Sequence, residues 1–286
     1  MSEPRSWLFV PGDSEKKIAK ALASEADAVI IDLEDSVADA NKDAARALAA
    51  ETLADAGETG PRIWVRINPL DSGRAEPDIA AIAAAAPHGV MLPKAESGAD
   101  IALTARYIDE AGGAEAIRIC AVATETARSL FGLDSYADAS DRLAMLTWGA
   151  EDLSAALGAT SKYDISGELS FTYRLARSLC LAGAVAAGVQ PVDTLYADFG
   201  DEEGLMRDCE AGRREGFTGK LAIHPAQLPV INAAFTPSEE ELAEARRIIA
   251  AFADHPEAGT IGLDGRMIDR PHLVQAQRTV ARAKRG

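Results

Sequence analysis

The stretch DAVIIDLEDSV, residues 27–37, is highly informative about the fold of this chain. Its apolar centre, residues 29–31, is a continuous β-branched run. Such a run predicts a strand buried on both faces, because it leaves no side for water. Three carboxylates follow within four positions: Asp32, Glu34 and Asp35. They are expected to stand at the exit of the strand.

Seven other segments share this β-rich, apolar character, and Ala-rich helical stretches lie between most of them. The eight predicted strands are residues 6–11, 28–33, 63–68, 89–94, 117–123, 143–149, 192–198 and 220–225. Alternating strands and helices predict parallel pairing through crossover helices, and eight units match a closed (β/α)8 TIM barrel. We therefore predict a barrel catalytic domain over residues 1–226. A doubly wound open sheet is the alternative.

Each predicted strand turns polar at its last positions. The residues at these ends are Asp32, Glu34 and Asp35; Arg66 and Asn68; Lys94 and Glu96; Glu125; Glu151 and Asp152; Asp198; and His224. In a parallel barrel all these ends meet at one rim, where active sites of this fold are built. Capping of the next helix is an equally good interpretation of Asp35. It explains Arg66 and Glu125 less easily.

The chain beyond the predicted barrel, residues 227–286, has a different pattern. Residues 236–252, TPSEEELAEARRIIAAF, predict an amphipathic helix with Ser238 and Glu241 at capping-box spacing. A Gly-rich connector, residues 257–271, leads into a final basic helix. We predict a C-terminal lid or arm that packs on a neighbouring subunit. A helical cap on the barrel is the alternative.

Composition narrows the possible partners. The 286 residues have a formal net charge of -16, which argues against nucleic acid or an anionic membrane, because both would repel the protein. The three cysteines lack CxxC spacing, so neither a disulfide framework nor a cysteine zinc site is expected. The sequence has no basic-then-apolar leader and no apolar stretch of roughly 20 residues. We expect a soluble cytoplasmic protein.

The candidate ligands point to a hard metal ion. The motifs GxxxxGK[ST], GxGxxG, HExxH and GxSxG are absent from the sequence, and its four histidines are scattered. Carboxylates and an arginine dominate the predicted rim. Oxygen ligands alone favour a divalent ion such as Mg²⁺, which usually keeps waters and takes further oxygens from the substrate.

Several motifs in a fixed order resemble the citrate lyase β-subunit-like proteins of the HpcH/HpaI aldolase superfamily, which includes malyl-CoA and citramalyl-CoA lyases. The motifs are RSWLFVPGD, DAVIIDLEDSV with KDAAR, VRINPLDSG, LPKAES, TETA, WGAEDLSAALG, GFTGKLAIHPAQLPVIN and DGRMIDRP, and they cover nearly the whole chain. The resemblance implies a (β/α)8 barrel with a C-terminal lid, assembled as a homotrimer or homohexamer.

The resemblance also implies a set of site residues. Glu125 and Asp152 would be the two Mg²⁺ ligands, and Arg66 would clamp the carboxylate of an oxo acid. Glu34 and Asp35 would hydrogen-bond the waters of the metal.

The remaining predicted residues concern the proton and the substrate. Asp269 matches the lid residue that reaches the site of a neighbouring subunit as the acid/base group. Arg5, Lys94 and Asn68 join Arg66 as predicted substrate-binding residues, with Arg5 near the expected position of the CoA nucleotide.

The implied activity is a Mg²⁺-dependent carbon–carbon lyase. It would cleave a 3-hydroxyacyl-CoA such as malyl-, citramalyl- or citryl-CoA to an oxo acid and acetyl-CoA, or form it by a Claisen-type condensation. The alternatives are a malyl-CoA thioesterase, a metal-dependent aldolase acting on free oxo acids, and a β subunit of a citrate lyase complex that acts on an acyl-carrier protein.

Overall fold

Eight parallel strands close into a barrel in the computed structural model, which describes residues 3–57 and 59–283. The strands follow one another around the barrel in chain order, and β1 pairs with β8. They are β1 Ser6–Pro11, β2 Ala28–Asp32, β3 Arg62–Arg66, β4 Gly89–Leu92, β5 Arg118–Val122, β6 Leu143–Thr147, β7 Gln190–Asp193 and β8 Gly219–Ala222. This arrangement confirms the closed barrel over the doubly wound sheet.

Helices cover the outside of the barrel. They are α1 Glu15–Leu22, α2 Lys42–Asp55, α3 Ala75–Ile82, α4 Gly98–Glu110, α5 Ala150–Ala156, α6 Phe171–Ala186, α7 Glu202–Glu215 and α8 Leu228–Ala234. Between β5 and β6 the described chain makes only 3-10 turns, at Ser129–Phe131 and Leu133–Tyr136. The helices place every loop that follows a strand at the same rim.

The second strand has the predicted burial on both faces. Ile30 belongs to the apolar cluster inside the barrel, whereas Val29 and Ile31 pack in the layer between strands and helices. The inner cluster also contains Trp7 and Trp64, whose ring centroids lie 5.2 Å apart. Large side chains therefore fill the barrel beneath its rim.

The seventh strand is shifted from its predicted position. It was predicted at residues 192–198 but spans Gln190–Asp193, because Pro191 continues the ladder by accepting a hydrogen bond from the Thr218 N–H at 3.0 Å. Asp198, predicted at the strand end, is exposed in the following loop. Asp193 is the residue at the true end of β7.

The C-terminal segment contains an unpredicted hairpin. After α9 Glu239–Ala253, strands β9 Thr260–Leu263 and β10 Arg266–Asp269 pair antiparallel within the Gly-rich connector. Their turn is Asp264–Gly265, both at positive φ (51° and 76°). Asp-Gly between short apolar runs is a strong hairpin signal, which the sequence analysis passed over.

Two helices of this segment were predicted correctly. Ser238 and Glu241 form the expected capping box at the start of α9. The final helix, α10 Arg270–Ala283, packs on α9, and the basic residues after it lie outside the described part of the chain. The predicted domain boundary at residue 226 precedes α8, which packs on α7 and β1. Among the described helices, none is both long and apolar enough to span a bilayer.

Candidate active site

A cavity of about 960 Å³ opens at the rim where the strands end. Phe9, Asp35, Arg66, Glu125 and Asp152 line it, together with residues of the loop before α6 and of helices α6 and α7. The strand ends thus bring five distant parts of the sequence to one place, as a parallel barrel requires.

Glu125 is a deeply buried carboxylate that lines the cavity. It follows β5, is 5% exposed, and its Oε2 accepts a hydrogen bond from the Lys94 N–H at 2.6 Å. Gly149 leaves room for it, since a Cβ at Gly149 would lie 2.7 Å from the Glu125 Cγ. Burial, with the negative charges of Asp152 and Glu34, raises the pKa of Glu125 to about 8, while that hydrogen bond and the positive charge of Arg66 oppose the rise. The charged form of Glu125 is therefore disfavoured, and a nearby positive charge would stabilise it.

Asp152 lies in the first turn of α5 and faces the same cavity. Its side chain is 35% exposed, and its Oδ1 lies 3.4 Å from the Lys94 Nζ. Lys94 contacts Asp152 through its ammonium group and Glu125 through its backbone. The structure thus brings together the two carboxylates that were predicted as metal ligands.

Arg66 is fixed by a residue that was not predicted as part of the site. Asp32 accepts hydrogen bonds from the Arg66 Nε and Nη2, both at 2.7 Å, and the Phe9 ring centroid lies 4.8 Å from the guanidinium. Burial alone would lower the pKa of Arg66, but the hydrogen bonds and charge of Asp32, with the charge of Glu34, raise it. Asp32 thus holds the Nε and Nη2 side of the guanidinium, and Nη1 lies 2.9 Å from the Glu34 Oε2.

Glu34 and Asp35 differ in exposure. Glu34 is 3% exposed, and its Oε1 pairs with the Lys94 Nζ. The other oxygen, Oε2, lies 2.9 Å from the Arg66 Nη1 without accepting a hydrogen bond. Burial raises the pKa of Glu34. Asp35 has a 58% exposed side chain, 3.8 Å from the Lys94 Nζ.

Two predicted substrate-binding residues are held elsewhere. Asn68 is buried and donates from its N–H and its Nδ2 to one oxygen of Asp78, at 2.9 and 2.7 Å. Arg5 precedes β1, at the end of the barrel opposite the cavity, where it pairs with Asp27 and donates to Thr236. Neither residue is among the described residues that line the cavity, and their roles in substrate binding stay predictions.

Asp269 lies in the C-terminal hairpin. Its Oδ1 is 2.5 Å from the His272 Nδ1, and it is not among the described residues that line the cavity. The structure of one chain does not bring Asp269 together with Glu125.

A buried charged group at the end of β7 was not predicted from the sequence. Asp193 accepts hydrogen bonds from the Trp148 Nε1 at 2.7 Å and the Arg177 Nη2 at 2.8 Å, and the fully buried Lys220 Nζ lies 3.6 Å away. Burial alone would raise the pKa of Asp193, but Lys220, Arg177 and Trp148 lower it to about 2. Asp193 and Arg177 line the cavity, so this group braces its wall. The two aspartates of residues 198–201, DFGD, led to the prediction of Asp198 at the strand end in place of the single Asp193.

The charges at the rim favour a divalent cation. In this part of the described chain, five carboxylates interact with two basic side chains: Asp32, Glu34, Asp35, Glu125 and Asp152 with Arg66 and Lys94. No three His, Cys, Asp or Glu side chains among the described residues form a group that could hold a metal alone. Two carboxylates with water and substrate oxygens suit Mg²⁺.

Comparisons with known proteins show which family the chain is similar to. The sequence matches the family described as HpcH/HpaI aldolase/citrate lyase over residues 5–225. It is 37% identical over 283 residues to a (3S)-malyl-CoA thioesterase of Cereibacter sphaeroides, covering 98% of this chain and 94% of the relative. It is 35% identical to the mitochondrial citramalyl-CoA lyase of Rattus norvegicus, covering 98% and 86%. A structure of CitE from Mycobacterium tuberculosis in complex with magnesium, acetoacetate and coenzyme A superposes with a TM-score of 0.81 at 37% identity, covering 99% of this chain and 98% of that one.

Proposed function

Because the chain belongs to the HpcH/HpaI aldolase/citrate lyase family, we propose that it is a Mg²⁺-dependent carbon–carbon lyase. Its substrate would be a 3-hydroxyacyl-CoA such as malyl-, citramalyl- or citryl-CoA, which it splits into an oxo acid and acetyl-CoA or forms from them. One observation carries the proposal. Glu125 and Asp152, from separate strand ends, line one cavity beside the guanidinium of Arg66.

Each side chain at the rim has a role in this reaction. Glu125 and Asp152 would hold the metal, which supplies Lewis-acid stabilisation of the substrate oxygens when bound. Arg66 would bind the carboxylate of the oxo acid, and Asp32 would keep the guanidinium in place. Glu34 and Asp35 would orient waters around the site.

A proton must move when the carbon–carbon bond breaks or forms. Asp269 is the proposed acid/base group, contributed by a neighbouring subunit, because the Asp269 of the same chain does not line the cavity. In the cleavage direction it would remove the proton of the β-hydroxyl. In the condensing direction it would remove a proton from the methyl group of acetyl-CoA.

Turnover of a panel of thioesters tests the reaction. The protein is incubated with Mg²⁺ and malyl-, citramalyl- or citryl-CoA, and the release of an oxo acid with acetyl-CoA is measured. Asp152→Asn should lower kcat/KM by at least about hundredfold, because a lost metal interaction is worth several kcal/mol. Glu151→Gln is the matched control, since Glu151 is adjacent but pairs with Lys162. If the wild-type protein turns over none of these thioesters, the proposed lyase activity is wrong.

A thioesterase is the second candidate, favoured by the 37% identical malyl-CoA thioesterase. The same metal site would then serve a water molecule that attacks the thioester. Malate and free CoA as products of malyl-CoA, in place of glyoxylate and acetyl-CoA, would select this function.

The other two alternatives have separate tests. An aldolase would convert free oxo acids and would not bind CoA. A CoA binding titration tests this. A citrate lyase β subunit would be inactive on CoA esters and active on the same acyl group attached to an acyl-carrier protein.

Mixing two inactive variants tests the shared site. Glu125→Gln removes a proposed metal ligand, and Asp269→Asn removes the proposed acid/base group. If Asp269 acts on a neighbouring subunit, a refolded mixture regains part of the activity, because some sites then contain both native residues. A mixture as inactive as its components places the acid/base group within one chain.

A further inference from the structure

Lys94 makes two different contacts with the proposed metal ligands. Its backbone N–H donates to the Glu125 Oε2 at 2.6 Å, while its Nζ lies 3.4 Å from the Asp152 Oδ1. The same ammonium group pairs with Glu34 and lies 3.8 Å from Asp35. One residue therefore connects four carboxylates of the rim.

The backbone of Lys94 is held in an unusual conformation to do this. Lys94 follows β4 with φ at 51°, in the left-handed region that a residue with a side chain rarely adopts. Such conformations cost about 1 kcal/mol or more and persist where the surroundings impose them. Here the conformation aims the N–H at one ligand while the side chain turns back to the other.

The ammonium group is a firm positive charge. Burial alone would lower the pKa of Lys94, but its hydrogen bond to Glu34 and the charges of Glu34, Glu125 and Asp152 raise it. It therefore offsets part of the repulsion between the carboxylates. It also lies 3.4 Å from an oxygen of Asp152, one of the two proposed metal ligands.

We propose that Lys94 is a tethered counter-cation that holds the carboxylates together without metal and is displaced from Asp152 when a divalent ion binds. The inference rests on the proposed metal site and gives Lys94 a different role from the predicted one in substrate binding. The side chain of Lys94 positions the ligands and competes with the ion. The backbone N–H stays on Glu125 in both states.

Competition and simple support predict opposite results. If the ammonium competes, its removal strengthens metal binding, because two like charges no longer share Asp152. If it only preorganises the ligands for the metal, its removal weakens metal binding. A neutral side chain at position 94 separates the two, since it keeps the backbone N–H.

The experiment measures Mg²⁺ binding by calorimetry and Mn²⁺ binding by electron paramagnetic resonance in wild type, Lys94→Met and Lys94→Gln. We expect both variants to bind the ion about tenfold more tightly than wild type. We also expect a lower Tm without metal and a larger rise of Tm on adding Mg²⁺, because the ion then becomes the main counter-charge. Circular dichroism verifies that each variant is folded, and two variants guard against the failure of one.

Lys162→Met is the matched control. Lys162 lines the cavity, and its Nζ pairs with Glu151 and not with a proposed metal ligand. Its loss should leave metal affinity within about twofold of wild type. If wild type binds the ion and both Lys94 variants bind it equally or more weakly, the inference about Lys94 is wrong and the proposed function is unaffected. Wild type that binds neither ion would remove the metal site itself, and with it the proposed function.

Discussion

Magnesium binding should release a proton at neutral pH. The folded, metal-free protein holds a proton on Glu125 up to a pKa of about 8, whereas the ordinary value is 4.5. A protonated carboxyl group does not hold a cation, so the ion must displace this proton. The perturbation is therefore a change of pH around the value of about 8.

The size of the effect follows from that pKa. At a pH about one unit below the pKa, about 90% of the molecules carry the proton, so binding releases about 0.9 proton per ion. The apparent affinity for Mg²⁺ rises about tenfold per pH unit below the pKa and levels off above it. A carboxylate with the ordinary pKa would release almost none at neutral pH.

Calorimetry in two buffers with different ionisation enthalpies counts the protons. Glu125→Gln should bind the ion weakly and release no proton, because an amide does not titrate in this range. Glu151→Gln should keep the wild-type count, since Glu151 pairs with Lys162 outside the proposed ligand pair. A wild-type proton count near zero at neutral pH would refute the assignment of Glu125 as a buried, metal-binding carboxylate.

Three further changes test other parts of the site. Gly149→Ala should weaken metal binding at least about tenfold in titrations, because the new Cβ meets the Glu125 side chain. Asp193→Ala should lower the free energy of unfolding by about 3–5 kcal/mol in urea, since it leaves the charge of Lys220 buried with one partner fewer, and a loss under about 1 kcal/mol would contradict this. Raising the pH from about 5 to 8 should destabilise the metal-free protein in urea unfolding. The reason is that the pKa of Glu125 is 4.5 in the unfolded chain and about 8 in the folded chain, so only the unfolded chain releases this proton over most of that range. Glu125→Gln should reduce the dependence of the free energy of unfolding on pH.

Local pattern was enough to predict the barrel. The β-branched run at residues 29–31 is buried on both sides, and polar residues after the strands mark one rim. Both features depend only on neighbours in sequence and on the geometry of parallel strands. For the same reason Glu125 and Asp152 could be placed in one cavity before any coordinates were known.

The pairing of charges could not be read in this way. Asp32 was predicted at the rim without a partner being named, and it pairs with Arg66. Arg5 was predicted to bind substrate, and it pairs with Asp27. Asp193 and Lys220 face each other only because β7 and β8 pair in one register, across many intervening residues. Register between strands depends on the packing of the whole barrel and not on local pattern.

The filled interior of the barrel closes the base of the cavity, which opens at the rim. Trp7 and Trp64 are among the side chains that occupy the space beneath Arg66 and Glu125, so nothing passes through the barrel axis. A molecule that reaches Glu125 and Arg66 therefore comes from the rim, past the loop before α6 and the helices α6 and α7 that line the cavity.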